Sequence, residues 1–312
     1  MIAAENRTVY KAFGFQVLSE IPLPELPTLT GLQNSEEIVV EVADLTTLWS
    51  ETLTPNKYFF IKENLCLFQI PNVAIFLVKE GNKIIVSPME GSAEDQIRLY
   101  ILGTCMGAIL LQRKILPMHG SAIAIDGKAY AIVGDSGAGK STLASAFLNK
   151  GYQLISDDVI PVTLSEENTP LVTPAYPQQK LWLESLDQFG MESNQYRPII
   201  DRETKFAVPV VSQFVEEPMP LAGVCELVKA DSDEIEILPI QRLERFHTLF
   251  NHTYRNFFIA QSGLMEWHFS TCAKMVNKIE LYQLRRPMTR FTAHDLTDLM
   301  LNIIQKGEKV SD

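Results

Sequence analysis

The 312-residue sequence predicts an α/β fold in two units, a β-rich N-terminal one and a larger one of mixed strands and helices. Three observations predict it. Short β-prone runs separated by turn residues fill residues 1–92. One long apolar helical pattern occupies 93–115. In the remaining unit, 116–312, a β-prone run, a glycine-rich loop, a helix and another β-prone run follow one another, the order of a βαβ unit.

In the first unit the strand-like runs are Phe13–Leu18, Glu37–Val42, Tyr58–Ile61, Leu65–Phe68, Ala74–Val78 and Lys83–Val86, with turn signals such as Glu80-Gly81-Asn82 between them. Ile21-Pro22-Leu23-Pro24-Glu25-Leu26-Pro27 is no central strand, because its prolines remove donors and fix an extended path. Ser92–Lys114 reads as one helix with Ser92 as its cap, Glu94 and Asp95 in the first turn, and an apolar face of Leu99, Leu102, Met106, Ile109 and Leu110. Its small residues Gly103, Gly107 and Ala108 predict close packing. The second unit opens with Met118–Ile125 and Lys128–Val133, joined by the hairpin signal Asp126-Gly127. Thr142–Lys150 is a helix stopped at Gly151, and Tyr152–Ser156 a strand ending at Asp157-Asp158. Further strands are expected near Phe206–Val211, Gly223–Lys229 and Glu234–Leu238, with helices over Leu243–Phe250 and beyond Thr292.

A hydrophobic content of 46% and a charged content of 21% place the chain among ordinary globular proteins. The net charge of −11 argues against a nucleic-acid or anionic-membrane partner. Cys66, Cys105, Cys225 and Cys272 are widely spaced with no C-x-x-C pair, so they predict buried thiols in a reducing compartment. The start, MIAAENRTVYK, lacks an apolar signal core. The longest uncharged apolar run, Leu99–Leu111, is shorter than the roughly 18 residues of a membrane span. A cytoplasmic protein is expected.

The chemistry concentrates in Gly134-Asp135-Ser136-Gly137-Ala138-Gly139-Lys140-Ser141, which fits G-x-x-x-x-G-K-[ST] at every required position. A strand precedes it and a helix, beginning at Thr142, follows. In such a loop glycines let the backbone approach phosphate oxygens, successive N–H groups point inward, and the helix N-terminus adds partial positive charge. Lys140 is placed to reach the terminal phosphates of ATP and Ser141 to hold Mg²⁺.

Connectivity brings other residues to this loop. The βαβ crossover makes its strands parallel, so Asp157 and Asp158 come to the sheet edge where ligands bind. Neighbouring strand residues point to opposite sides, so one carboxylate is free to serve Mg²⁺ and the other to face the phosphoryl acceptor. With Asp126-Gly127 as a two-residue turn, Ile125 pairs with Lys128, and the continued register sets His119 opposite Gly134.

Met118–Val162, which carries the His-Gly, the hairpin, G-D-S-G-x-G-K-S, the Gly-ended helix and the Asp-Asp pair in that order, resembles the catalytic core of the HPr kinase/phosphorylase family. The resemblance implies an HPr-kinase-like P-loop core and a serine acceptor. It implies that Asp157 is the catalytic carboxylate, that Asp158 is its partner on the metal side, and that His119 stands beside the catalytic carboxylate. The family's R-G-L-G signature is absent; Leu221-Ala222-Gly223-Val224 stands in its region. The phosphorylase reaction and an HPr docking surface therefore fall outside what the resemblance implies. FGFQVLSEIPLPELP is similar to a divergent branch that includes kinases of lasso-peptide precursors. A peptide or small-protein acceptor is expected, with recognition by residues 1–92 and 165–220.

Lys180 and Lys205 are candidate phosphate or acceptor contacts, with surface lysines as the alternative. Arg285-Arg286 reads equally as phosphate ligand or surface charge. His247, His252, His268 and His294 lack metal-ligand spacing, so no zinc site is expected, and Trp182 and Trp267 are expected to pack. Two other function classes share these residues: a small-molecule kinase, and a nucleotide-binding regulator without turnover. The pair Asp157 and Asp158 together with His119 exceeds what a regulator needs. An N-K-x-D guanine-reading motif is absent, which disfavours a GTPase.

Overall fold

The computed structural model describes residues 7–31, 37–52, 58–199 and 202–308. Residues 1–6, the larger part of the start MIAAENRTVYK, lie outside them. The fold is mixed α/β. Seven strands form the first sheet: β1 (Thr8–Ala12), β2 (Phe15–Ser19), β3 (Glu37–Val42), β4 (Phe59–Lys62), β5 (Leu65–Ile70), β6 (Ala74–Lys79) and β7 (Lys83–Pro88). Their order is β1-β2-β3-β7-β6-β5-β4. The expected strand from Phe13 begins two residues later. Phe13 and Gly14 instead form the β1–β2 turn at φ 55° and 80°, values that a tight hairpin turn requires. The proline segment 21–27 forms no strand.

The helical segment runs as Glu94–Tyr100, a π-helical stretch Ile101–Cys105, and Met106–Gln112. Ser92 does not cap it; Ala93 occupies the N-cap without a side-chain bond. From Ile101 to Leu111 every residue is buried, so the helix is apolar all round rather than on one stripe. One side packs on the first sheet through Phe68, Phe76 and Ile84, and the same cluster includes Val159, Tyr176, Phe258 and Ile259 of the second unit. Gly107 makes this approach possible: a Cβ there would stand 2.6 Å from Cδ1 of Tyr254.

The second unit carries β8 (Leu116–Ile125), β9 (Lys128–Val133), β10 (Gln153–Leu164), β11 (Pro170–Val172), β12 (Gln178–Trp182), β13 (Arg197–Ile199), β14 (Arg202–Pro209), β15 (Met219–Ala230), β16 (Glu236–Pro239) and β17 (Glu280–Pro287). The order of its seven-stranded sheet is β11-β10-β8-β9-β15-β17-β16, and β12-β14-β13 form a small separate sheet. The β8–β9 register is the expected one, from Ile125↔Lys128 to Gly120↔Val133. β10 and β9 point the same way because each is antiparallel to β8, which lies between them. β10 does not end at the aspartates; it continues to Leu164 with a register shift between Leu154 and Ser156. The helix Lys140–Asn149 buries Leu143, Ala144, Phe147 and Leu148 on the sheet. Among the described residues no helix is long and apolar enough to cross a membrane.

Candidate active site

The glycine loop leaves β9 and turns directly into the helix Lys140–Asn149. Two of its glycines are required by shape. Gly134 has φ 144° and a Cβ there would meet the carbonyl oxygen of Leu227 at 2.5 Å, while Gly139 caps the helix at φ 105°. Lys140 is buried, and its Nζ donates to the carbonyls of Gly134 (2.8 Å) and Asp135 (3.1 Å). Burial pushes its ammonium below the ordinary lysine range, against the pull of Asp157 and Asp158. Thr142 turns aside to share a hydrogen bond with Ser185 (2.8 Å).

Asp157 is buried and fully engaged. Its Oδ1 accepts from Ser121 Oγ (2.5 Å) and Ser141 Oγ (2.9 Å), and its Oδ2 from the backbone N–H of Lys180 (2.8 Å). Asp158 has φ 78°, a left-handed value inside a strand, and this conformation is rare for a residue with a Cβ. Its Oδ2 accepts from Lys180 Nζ at 2.6 Å and its Oδ1 lies 3.6 Å from His119 Nδ1. Burial alone would raise the Asp158 carboxyl, but the charge of Lys180, then that of His119, reverses this and holds it well below the ordinary carboxylate range. The same pairing holds the Lys180 ammonium well above its ordinary value despite burial.

His119 Nδ1 faces the carbonyl oxygen of Asp158 at 3.0 Å. A carbonyl only accepts, so Nδ1 carries the proton and Nε2 of the neutral ring is an acceptor. Burial keeps the ring's pKa below the ordinary histidine value, opposed by Asp158. Its backbone N–H donates to the carbonyl of His252 (2.7 Å), and its ring lies 5.6 Å from that of Tyr254.

These groups open on a cleft of about 330 Å³ whose polar lining includes His119, Lys140, Ser141, Asp158, Lys180 and Lys205. Leu99 and Tyr100 of the connecting helix and Ile199 of β13 line it as well. Gly137, Gly139 and Thr142 also border a second cavity of about 450 Å³, which has Leu143, Leu227, Met288 and Phe291 in its walls together with Arg286. Trp182, expected to pack, borders both cavities instead, with Lys205 Nζ 5.4 Å from its ring centroid. Trp267 does pack.

The residues expected at one site thus meet there: both carboxylates line the cleft, Ser141 bonds to Asp157, and Asp158 stands beside His119. The two arginines part company: Arg285 pairs with Glu236 (3.7 Å) on the surface, whereas Arg286 Nε donates to the carbonyl of Ala138 (2.8 Å). His247 stands on the surface beside Glu244, His252 Nε2 donates to Glu226 (2.9 Å), and His268 bonds Thr253. Burial pushes His268 down to about 4. All four cysteines are unpaired and buried, and burial pushes Cys66, Cys225 and Cys272 up to about 12. Ser121 is a site residue that was not anticipated. Its signal was present, since it lies two positions after His119 and so shares a face of β8.

No family model matches this chain. The HPr kinase/phosphorylase of Mycoplasmopsis pulmonis is 42% identical over 64 residues, 20% of this chain and 21% of that protein. The HPr kinase/phosphorylase of Burkholderia lata is 27% identical over 173 residues, 55% of this chain and 47% of that protein, and that of Geobacillus kaustophilus 27% identical over 125 residues, 38% and 40%. The chain therefore spans less than half the length of these relatives. Among solved structures, the HPr(Ser) kinase/phosphatase from Coxiella burnetii matches with a TM-score of 0.33 and 15% identity, covering 63% of this chain and 99% of that one. Over about half its length, the chain has homologues in the HPr kinase/phosphorylase family.

Proposed function

We propose that this chain is an ATP- and Mg²⁺-dependent kinase that transfers the γ-phosphoryl group to a serine hydroxyl of a peptide or small protein. One observation carries the reading: Ser141 with Asp157, and Asp158 with His119 and Lys180, converge on a single cleft at a complete phosphate-loop motif. The Ser141 hydroxyl and the Asp157 carboxylate are hard oxygen donors bonded to each other at 2.9 Å, a set that suits Mg²⁺. When bound, the ion offsets charge on the transferring phosphates. Lys140 then serves the terminal phosphates. Asp158, held ionised by Lys180, accepts the hydrogen bond of the attacking hydroxyl, and His119 keeps its carboxylate in place. The second cavity, which shares Gly137, Gly139 and Thr142 with the cleft and has Leu143, Leu227, Met288 and Phe291 among its walls, suits the nucleoside. The unpaired thiols and the ATP donor fit a cytoplasmic site of action.

For the acceptor, the relatives named for HPr support a small protein, and the missing R-G-L-G signature supports a partner other than HPr. The N-terminal pattern favours peptides, lasso-peptide precursors among them. The test offers radiolabelled ATP with HPr, peptides encoded by neighbouring genes and a panel of metabolites. Label on a serine of a peptide is the expected result. Label on HPr alone or a metabolite alone overturns the peptide acceptor and spares the kinase, and absence of any transfer overturns the kinase.

A further inference from the structure

The glycine loop rests on the ends of two strands. β15 and β17 are parallel and in register, with Lys229 opposite Arg286, so the two side chains leave the sheet on the same face. Both reach the loop. Arg286 Nε donates to the carbonyl of Ala138 at 2.8 Å, and its Nη2 is 3.7 Å from the point where a Cβ on Gly139 would stand. Lys229 Nζ is 3.8 Å from the corresponding point on Gly137. Arg286 lines the second cavity, and Lys229 lines a third of about 290 Å³ shared with Asp135 and Ser136.

These two cations differ from the others around the loop. Lys140 Nζ rests on two carbonyls, Lys180 Nζ on Asp158, and Arg285, on the opposite face of β17, pairs with Glu236. Neither Lys229 Nζ nor Arg286 Nη2 has a hydrogen-bond or ion-pair partner among the described residues. A chain of net charge −11 leaves two positive groups uncommitted beside one loop. On the cleft side, Asp157 and Asp158 offset much of the charge of Lys140 and Lys180. A bound polyphosphate carries several negative charges that this side does not match.

We infer that Lys229 and Arg286 form a second cationic wall of the phosphate site, binding the non-terminal phosphates of a nucleoside di- or triphosphate from the β15–β17 side of the loop. This rests on the nucleotide reading above and extends it to residues outside the loop motif. The arginine holds the loop through Nε and offers Nη2 to phosphate, a division that its fixed fork allows and a lysine does not. Lys229 is exposed and holds nothing in the protein, so its role is separable from folding.

The test measures calorimetric affinities of ATP, ADP and adenosine for the full chain and for Lys229→Ala, Arg286→Ala and Arg286→Lys. Lys229→Ala is expected to weaken ADP and ATP about tenfold, the loss of one charge-assisted hydrogen bond, and to leave adenosine unchanged. Arg286→Ala should cost more, because the brace on Ala138 goes too, and Arg286→Lys should restore part of the ADP affinity. Salt should weaken ADP binding less in Lys229→Ala than in the parent chain. Equal ADP affinity in parent and Lys229→Ala overturns the inference alone. A parent chain that binds neither ADP nor ATP overturns the nucleotide reading, and this inference with it.

Discussion

The described residues form two seven-stranded sheets, and the candidate site gathers on only one of them. In the first, β5, β6 and β7 pair without a register shift. Its left-handed non-glycine residues, Phe13, Glu63, Asn72 and Glu80, all stand in turns between strands. Its charges pair at the surface, as Arg7 does with Glu20 and Lys83 with Glu41. The second sheet departs from these rules beside the site, and β15 also shifts register against β9 between Leu221 and Gly223. β10 slips register beside β8, Asp158 is left-handed inside the strand, and a buried carboxylate and a buried ammonium stand next to it. A regular ladder commits its groups to one another. A bulge frees and re-aims side chains, at a cost that the surrounding packing must offset.

The largest contrast between the sheets comes from one substitution in each. Lys140→Ala should abolish phosphoryl transfer while thermal unfolding stays close to that of the parent, since Nζ holds only two loop carbonyls. Phe68→Ala should do the reverse. Phe68 is fully buried between Phe59 and Phe76 at 5.1 and 4.9 Å, so its loss should cost about 3–5 kcal/mol of stability with turnover per folded molecule unchanged. Unaltered turnover in Lys140→Ala would remove the loop from the reaction.

The two carboxylates should separate next. Asp158→Asn keeps shape and loses charge, and turnover should fall by roughly 10²–10⁴ with ATP affinity largely kept. Asp157→Asn should instead shift the Mg²⁺ concentration needed for half-maximal rate. Identical behaviour across a Mg²⁺ titration would collapse the distinction drawn from the Ser141 hydrogen bond.

A smaller effect should appear only on varying pH. Asp158 is held below the ordinary carboxylate pKa, so its ionised form is stable above that range and is lost only as pH falls through the lower folded value. Lys180→Met removes the main charge responsible and leaves burial to push the carboxyl up. The acid limb of kcat should therefore move upward, from below about pH 4 toward neutrality. Burial holds the His119 ring below the ordinary histidine value in the parent chain. A limb that does not move in Lys180→Met would mean that another group keeps Asp158 charged.

What was legible in the sequence was local. The loop motif was one such signal, and the Asp126-Gly127 turn with the count from it gave the β8–β9 register that runs from Ile125↔Lys128 to Gly120↔Val133, one pair short of His119 and Gly134. The alternation rule also said that Asp157 and Asp158 face different ways. It did not say which way, because the shift between Leu154 and Ser156 resets the phase, and a one-residue slip exchanges the two faces. Lys180 reaches Asp158 through β12, a strand of another sheet, and Arg286 reaches Ala138 through the parallel pairing of β15 with β17. Neither pairing leaves a signal in neighbouring residues. Ser92 is not the cap because Ala93 holds that position, and no side chain bonds the helix N-terminus there.

The smallest expected effect joins the two sheets. The helical segment over 94–112 packs into the first sheet's core and also touches the site, since Leu99 and Tyr100 line the cleft. Its glycines receive Tyr254: a Cβ on Gly107 would stand 2.6 Å from Cδ1 of that ring and one on Gly103 3.1 Å from its hydroxyl. Tyr254 in turn lies 5.6 Å from the His119 ring, and its backbone N–H is anchored on the carbonyl of Pro117 at 2.7 Å. A methyl at position 107 therefore has to displace the ring toward His119 or push the helix away. Overpacking of this kind typically costs about 1–3 kcal/mol of stability. Because the proposed reaction gives His119 only a supporting role, kcat in Gly107→Ala should fall a few-fold with KM unchanged, far less than in Asp158→Asn. The double variant Gly107→Ala with Tyr254→Ala decides the route. If Tyr254 carries the effect, adding the methyl should change kcat little once the ring is gone, a coupling that a double-mutant cycle reads directly. Equal and independent losses in both backgrounds would mean that the helix influences the cleft through Leu99 and Tyr100, and that the first sheet reaches the chemistry by its wall rather than by His119.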